Sequence, residues 1–175
     1  MVRLSYRIKT GRILTMITYE YKTFIDKQQR TYLKEVRKLE IEKNLVTPKE
    51  VNDFFCDQYH IQENAEEYLY IVAVNAAMQP IGVFEISHGS AHRSLLNVRE
   101  IFVKLFLCGA VGFFLVHNHP SQNTEPSEMD RIYTHQMEKA AKLMEIEFLD
   151  HIIIGNGYYS FREQKQLLLS QREPV

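Results

Sequence analysis

The chain has 175 residues, 45% hydrophobic and 25% charged, which is enough for one sizeable core and enough charge to keep it in water. The alternating start Met1-Val2-Arg3-Leu4-Ser5-Tyr6-Arg7 is not a signal sequence, no apolar run reaches transmembrane length, and two cysteines show no disulfide pattern. These features exclude a membrane-spanning protein and a disulfide-stapled secreted scaffold, and they lead us to expect a single cytoplasmic domain without a membrane partner.

Charge is unevenly spread under the net value of −1: residues 1–45 hold eleven Lys or Arg against five Asp or Glu, and residues 46–175 hold ten against seventeen. Val2, Leu4, Tyr6 and Ile8 alternate with Arg3, Ser5, Arg7 and Lys9, and Thr10-Gly11 leads into Ile13, Thr15, Ile17, Tyr19 and Tyr21. This pattern predicts a β-hairpin, a basic N-terminal extension over 1–45 that adds strands at an edge of the same domain. Residues 29–44 fit a charged helix or a further strand, and their period does not decide between them. The basic surplus offers nucleic acid a surface, but the preferred reading is the solvated face of a strand.

Thr47-Pro48-Lys49-Glu50 carries a capping signature and opens a helix from Pro48 to about Tyr59. Strands follow at Tyr68 to Asn75 and Ile81 to Ser87. Strict alternation in the second strand puts Ile81, Val83, Glu85 and Ser87 on one face and Gly82, Phe84 and Ile86 on the other, so Glu85 interrupts an apolar face. Asn97-Val98-Arg99-Glu100 caps a helix from Val98 to Cys108, with Ile101, Leu105 and Cys108 inward and Glu100 as a capping or ion-pairing residue.

Val111 to Val116 reads as a buried strand that ends where His117-Asn118-His119-Pro120 begins. Side chains two apart in extended chain share a face, so His117 and His119 can aim at one point. Pro120 and Pro126 fix a rigid loop, and Ser127-Glu128-Met129-Asp130 caps the next helix, whose expected buried side is Ile132, Met137, Ala140, Ala141 and Met144. Asp130, in the first turn, then faces back to the histidines. Two neutral imidazoles and a carboxylate make a three-ligand set suited to one zinc ion per chain, with a fourth position left for water. Cys56 and Cys108 fall on predicted helices away from this set, and His60, His88, His92 and His135 have no ligand-like spacing. A capping Ser and Asp mean little alone; the conjunction with paired histidines leaving a buried strand carries the metal reading. Further on, Asp150-His151 interrupts the apolar strand Phe148 to Ile154, and such a costly pair is expected to orient a ligand histidine or border the cleft. Gly155-Asn156-Gly157 turns into a last strand, Tyr158 to Phe161.

The order of elements fits an α/β sandwich with a mixed sheet. The string also resembles the JAMM (JAB/MPN+) metalloprotease signature: His-x-His, seven residues, Ser, two residues, Asp. Within that superfamily it is similar to the RadC-like branch, through His-Asn-His-Pro-Ser at 117–121, Pro-Ser-x-x-Asp at 126–130, Arg99-Glu100 and Leu-Asp-His-Ile-Ile-Ile-Gly at 149–155. Gln122 stands where Gly is usual, and Val98 where Pro is usual. The resemblance implies a JAB/MPN-like, cytidine-deaminase-like mixed β-sheet flanked by helices over 46–175, with His117, His119 and Asp130 on zinc. It also implies a catalytic glutamate in an early strand, assigned to Glu85, and an oxyanion-binding Ser127. The expected activity is a zinc-dependent metallopeptidase or isopeptidase acting on a peptide or isopeptide-linked protein. The alternative is a DNA repair or recombination accessory protein. Longer RadC-like proteins carry a helix-hairpin-helix region without counterpart in these residues, so direct DNA binding is not favoured.

Overall fold

The computed structural model describes residues 5–8, 14–42, 44–89 and 97–167. The N-terminal hairpin forms from β1 (Ser5–Ile8) and β2 (Leu14–Ile25), paired antiparallel from Ser5 opposite Ile17 to Ile8 opposite Leu14. Arg3, Lys9 and Arg12 of the basic pattern, and the Thr10-Gly11 turn, lie outside the described residues. β2 does not stop near Tyr21. It runs to Ile25 and turns through Asp26, whose Oδ1 accepts the Gln28 and Arg30 amides at 2.8 and 2.9 Å.

The undecided stretch is a strand, β3 (Thr31–Ile41), antiparallel to β2 along its length. A regular period is hard to see there because Val36 is an extra residue between Arg37, opposite Glu20, and Glu35, opposite Tyr21. Such a bulge breaks the alternation that identifies a strand, and Val36 stays exposed.

The remaining elements are α1 (Pro48–Tyr59), a 3₁₀ turn (Ile61–Glu63), β4 (Glu67–Val74), β5 (Pro80–Gly89), α2 (Val98–Cys108), β6 (Gly112–Asn118), α3 (Glu128–Leu143), β7 (Glu147–Gly155) and β8 (Gly157–Ser160). All strands join one mixed sheet in the order β1-β2-β5-β4-β6-β7-β8, with β3 on the other edge of β2. β4 is antiparallel to both β5 and β6, and β6 is parallel to β7 through the α3 crossover. Every residue of β6 is buried, as expected of a central strand covered on both faces. α1 packs Val51, Phe54 and Phe55 on the face carrying Val72, Phe114, Val116 and Ile152. α2 and α3 cover the other face, with Ile101, Leu105, Met137 and Ala141 against Ile71, Ala73, Phe113 and Leu115. No described helix is long and apolar enough to cross a membrane.

Two sequence expectations need correction. The buried side of α3 is Thr134, Met137, Glu138 and Ala141, while Ile132 and Met144 are exposed. The helix is rotated so that a polar residue, Thr134, faces the sheet where it meets a polar partner. In β5, Ile81 and Ile86 are bulge residues: Val74 pairs with Pro80 and Ala73 with Gly82, then Tyr70 pairs with Glu85 and Leu69 with Ser87. Each bulge flips the alternation, so Ile81 joins Phe84 in one core and Val83 belongs to the other.

Candidate metal centre

β6 continues past the apolar run, so His117 is still a strand residue, buried within the sheet end. Asn118 points to the opposite side and ties β4 to β6: its Oδ1 accepts the Tyr68 amide at 2.8 Å and its Nδ2 donates to the Glu66 carbonyl at 3.0 Å. The His119 amide donates to the Ile154 carbonyl at 2.8 Å, which carries the parallel pairing with β7 one residue beyond the strand. The loop then folds over the end of β7. Gln122 adopts a positive φ of 64°, a conformation that favours glycine, and is held there by a hydrogen bond from the Asn156 amide to its carbonyl at 3.0 Å and from its Nε2 to the Gln62 carbonyl at 2.9 Å. Gly155 makes room for it, since a Cβ there would lie 2.7 Å from the Gln122 carbonyl oxygen.

Ser127 caps α3. Its Oγ accepts the Asp130 amide at 3.2 Å, and the Asp130 carboxylate accepts the Ser127 amide at 2.7 Å and the Ser127 hydroxyl at 2.6 Å. This box turns the carboxylate toward the histidines. His117 Nε2 lies 3.3 Å from Asp130 Oδ1, His119 Nε2 lies 3.5 Å from Oδ2, and the two Nε2 atoms are 3.0 Å apart. An ion bound tetrahedrally at zinc-like distances of about 2.0–2.1 Å has ligands roughly 3.3–3.4 Å from one another; the two histidines approach different oxygens of the carboxylate, and one ligand atom from each residue lies within 4.8 Å of the others, near enough to close on a single ion. Two unprotonated Nε2 atoms facing each other at 3.0 Å repel unless a cation or proton lies between them. Among the described residues, no other group of three His, Cys, Asp or Glu has this arrangement.

Both rings are fixed in the tautomer that leaves Nε2 for a metal. His119 Nδ1 donates to the Asn123 carbonyl at 2.7 Å. His117 Nδ1 meets His151 Nε2 at 2.9 Å, His151 Nδ1 meets Thr134 Oγ1 at 2.6 Å, and that hydroxyl donates to the Asp130 carbonyl at 2.6 Å. Because the Thr134 proton is committed to a carbonyl, its oxygen must accept from His151 Nδ1, and His151 Nε2 must then accept from His117. The proton order is thus assigned from the network, and it runs one way. Burial lowers the His117 pKa to about 4 and lowers that of His151 well below the usual value, so both are neutral, as the chain requires. Burial would raise the Asp130 carboxyl, but the His119 hydrogen bond, the neighbouring His117 and the two Ser127 donors hold it far below the usual range. For His119, the lowering by burial is outweighed by Asp130, the Asn123 carbonyl and the charge of Glu67.

Other sequence-predicted residues fall elsewhere. His117 pairs with Leu69, whose face carries α2 and α3, whereas Glu85 pairs with Tyr70, whose ring packs under α1. Glu85 is therefore on the opposite face of the sheet, 2.7 Å from His88 Nδ1. Alternation within β5 puts Glu85 with Val83, as the sheet does; its role as base came from the resemblance alone. Glu100 is exposed in the first turn of α2, where its amide is capped by Asn97, and it lines a separate depression between α2 and the tip of the β2–β3 hairpin. Of the Asp150-His151 pair, His151 reaches His117 of the triad. Asp150 does not: it accepts from the His151 and Arg162 amides at 2.8 and 2.9 Å and from the Ser160 hydroxyl, holding the turn after β8. Burial raises its carboxyl to about 6 against these three donors.

Glu67, the first residue of β4, brings a carboxylate to the cleft that the sequence reading did not assign. It lies two positions before Leu69, on the His117 face, and lines the cleft that opens over the triad. The sequence signal was available in Glu66-Glu67, a pair of acids at the head of the apolar strand. The cleft encloses about 570 Å³ and is bounded by Leu69, Ser87, Gly89, Glu125, Met129 and Tyr133 around the two histidines, Ser127 and Asp130.

Comparison with known proteins agrees with this geometry. The pattern that defines the RadC-like JAB domain matches residues 45–167. The chain is 39% identical over 111 residues, 63% of its length, to a UPF0758 protein of Chlorobium phaeovibrioides. It is 34% identical over 129 residues, 73% of its length, to a UPF0758 protein of Pelobacter propionicus. These matches cover 50% and 56% of those relatives, so the chain spans about half the length of the curated relatives it matches. With a mixed sheet flanked by helices, the histidine pair at the end of β6 and the acid at the start of α3, the chain belongs to the RadC-like JAB domain family.

Proposed function

We propose that the chain is a zinc-dependent hydrolase of amide bonds, either peptide or isopeptide, working in the cytoplasm. The observation that carries this reading is the convergence of His117, His119 and Asp130, with one candidate ligand atom from each within 4.8 Å of the others, beside a cleft that they line. A bound zinc ion supplies Lewis acidity, polarising a carbonyl and making water a nucleophile at neutral pH. The chain's own residues do the rest. Glu67 takes the proton of the attacking water and returns it to the leaving nitrogen. Ser127, at the lip of the cleft, swings its hydroxyl proton from Asp130 Oδ2 to the oxygen that gains charge, while its amide keeps hold of the carboxylate. His151 and Thr134 keep His117 in the ligating tautomer. The test is turnover of fluorogenic peptide and isopeptide substrates by the zinc-loaded chain; loss of turnover with a chelator and its return with zinc is expected, and no turnover of any amide would overturn the reading.

A role as a DNA repair or recombination accessory is the second reading, and the positive surplus of residues 1–45 is what favours it. It predicts salt-sensitive nucleic-acid binding that fails when Arg3, Arg7, Lys9 and Arg12 are neutralised.

A further inference from the structure

The described walls of the metal cleft carry formal charge of one sign. Glu67, Glu125, Glu128 and Asp130 line it, and among the described residues no Lys or Arg does. With His117 and His119 neutral, the described lining remains net negative even with a divalent ion on the triad. The contrast with the rest of the molecule is local, since the chain as a whole is nearly neutral. Between the carboxylates the wall is apolar: Leu69 on β4, and Met129 and Tyr133 on the first turns of α3. Met129 is 48% exposed, a large apolar side chain left in water beside the site.

A phosphodiester backbone brought to this ion would place its charges against the flanking glutamates, where Coulomb repulsion acts over a Debye length of about 10 Å and is strengthened in a concave, partly dry site. The same field attracts Lys and Arg. We propose that the cleft selects a cationic peptide, an extended segment with an apolar residue against Leu69, Met129 and Tyr133 and with Lys or Arg flanking the scissile amide. This deepens the amide-hydrolase reading and rests on it for the chemistry, but the selection itself is a binding property.

The experiment uses the zinc-loaded full chain with Glu67→Gln, so that binding is read without cleavage. Labelled peptides sharing one apolar centre and flanked by Lys/Arg, by Ser or by Glu are titrated by anisotropy, with a single-stranded oligonucleotide of similar length beside them. The expected order is cationic, then neutral, then anionic, with the oligonucleotide weakest and the cationic preference shrinking as salt rises. Glu125→Lys with Glu128→Lys should weaken the cationic peptide by on the order of tenfold, and the milder Glu125→Gln with Glu128→Gln by less, in the same direction. The Gln pair guards against a fold defect, because Lys at the start of α3 opposes the helix dipole. Equal binding of the three peptides, or tighter binding of the oligonucleotide, would overturn the proposal. Tight cationic binding without turnover by the wild-type chain would instead overturn the hydrolase reading and leave the selection standing.

Discussion

His117 donates its Nδ1 proton to Nε2 of His151 across 2.9 Å, so one buried neutral imidazole holds another by its far side. A metal-ligating histidine is commonly oriented by a carboxylate or a carbonyl. Here the acceptor is a ring whose own orientation depends on Thr134, and Thr134 in turn donates to the carbonyl of Asp130. Two members of the triad, His117 and Asp130, are thus joined through a hydrogen-bonded path over His151 and Thr134.

Loss of that path should weaken metal binding before it affects anything else. His151→Ala is expected to raise the zinc dissociation constant by about 10–100-fold, and His151→Gln, whose carbonyl can accept from His117, should recover part of it. Thr134→Val should act in the same direction and Thr134→Ser should be close to wild type. Competition titration with a chromophoric chelator gives the constants. Unchanged affinity in His151→Ala would show that His117 needs no such partner.

The triad itself makes a stoichiometric claim. Chain purified without chelator should carry about one zinc per molecule, and His117→Ala with His119→Ala should carry none. Elemental analysis decides it; metal retained in the double variant would place the ion elsewhere.

Two glutamates on opposite faces of the sheet give a paired test. Glu67→Gln should keep its zinc and lose roughly two to four orders of magnitude in turnover, whereas Glu85→Gln should leave turnover within about twofold of wild type, as for a side chain away from the reacting atoms. The reverse outcome would restore Glu85 as the base.

These outcomes also mark what was legible in the sequence. The convergence of His117, His119 and Asp130, the cap of α3 and the bounds of α1 and α2 followed from spacing and capping chemistry, because each is set within a few residues of chain. His151 was legible as a costly interruption of an apolar strand, though not which ligand it serves. Glu85 takes its role from the resemblance, and only the pairing with β4 shows which face it shares; a bulge is likewise a property of two strands together, and Ile81 and Ile86 look like ordinary alternating residues until β4 lies beside them. Val36 hid β3 in the same way. Glu67 was overlooked because a carboxylate at a strand start looks like a solvated end until the sheet sets it beside β6.

Close packing at the rim should be felt at the site. In Gly155→Ala the new Cβ would meet the Gln122 carbonyl oxygen at 2.7 Å, a backbone atom that cannot swing away. We expect a loss of about 1–3 kcal/mol in stability and, because the 119–123 turn carries the acceptor for His119 Nδ1, a measurable loss of zinc affinity. Urea denaturation of apo and zinc-loaded protein separates the two effects. An unaffected midpoint would mean that the loop has room to shift.

Asp150 sets a pH dependence that does not involve the metal. Its carboxyl is raised to about 6 by burial, against three hydrogen-bond donors that favour its charged form. The folded state therefore holds this proton more tightly than the unfolded chain does. The contribution to stability is fully present below the unfolded value near 4, and it is lost as pH rises through about 6, a change of about 3 kcal/mol at most. Metal-free protein should be less stable at pH 8 than at pH 5 on this account, with Asp150→Asn showing a flatter profile between those values because it has no proton to lose. Denaturant midpoints at the two pH values, taken for wild type and Asp150→Asn, test the sign. Identical pH profiles would show that the Ser160, His151 and Arg162 hydrogen bonds offset the burial and leave Asp150 charged throughout.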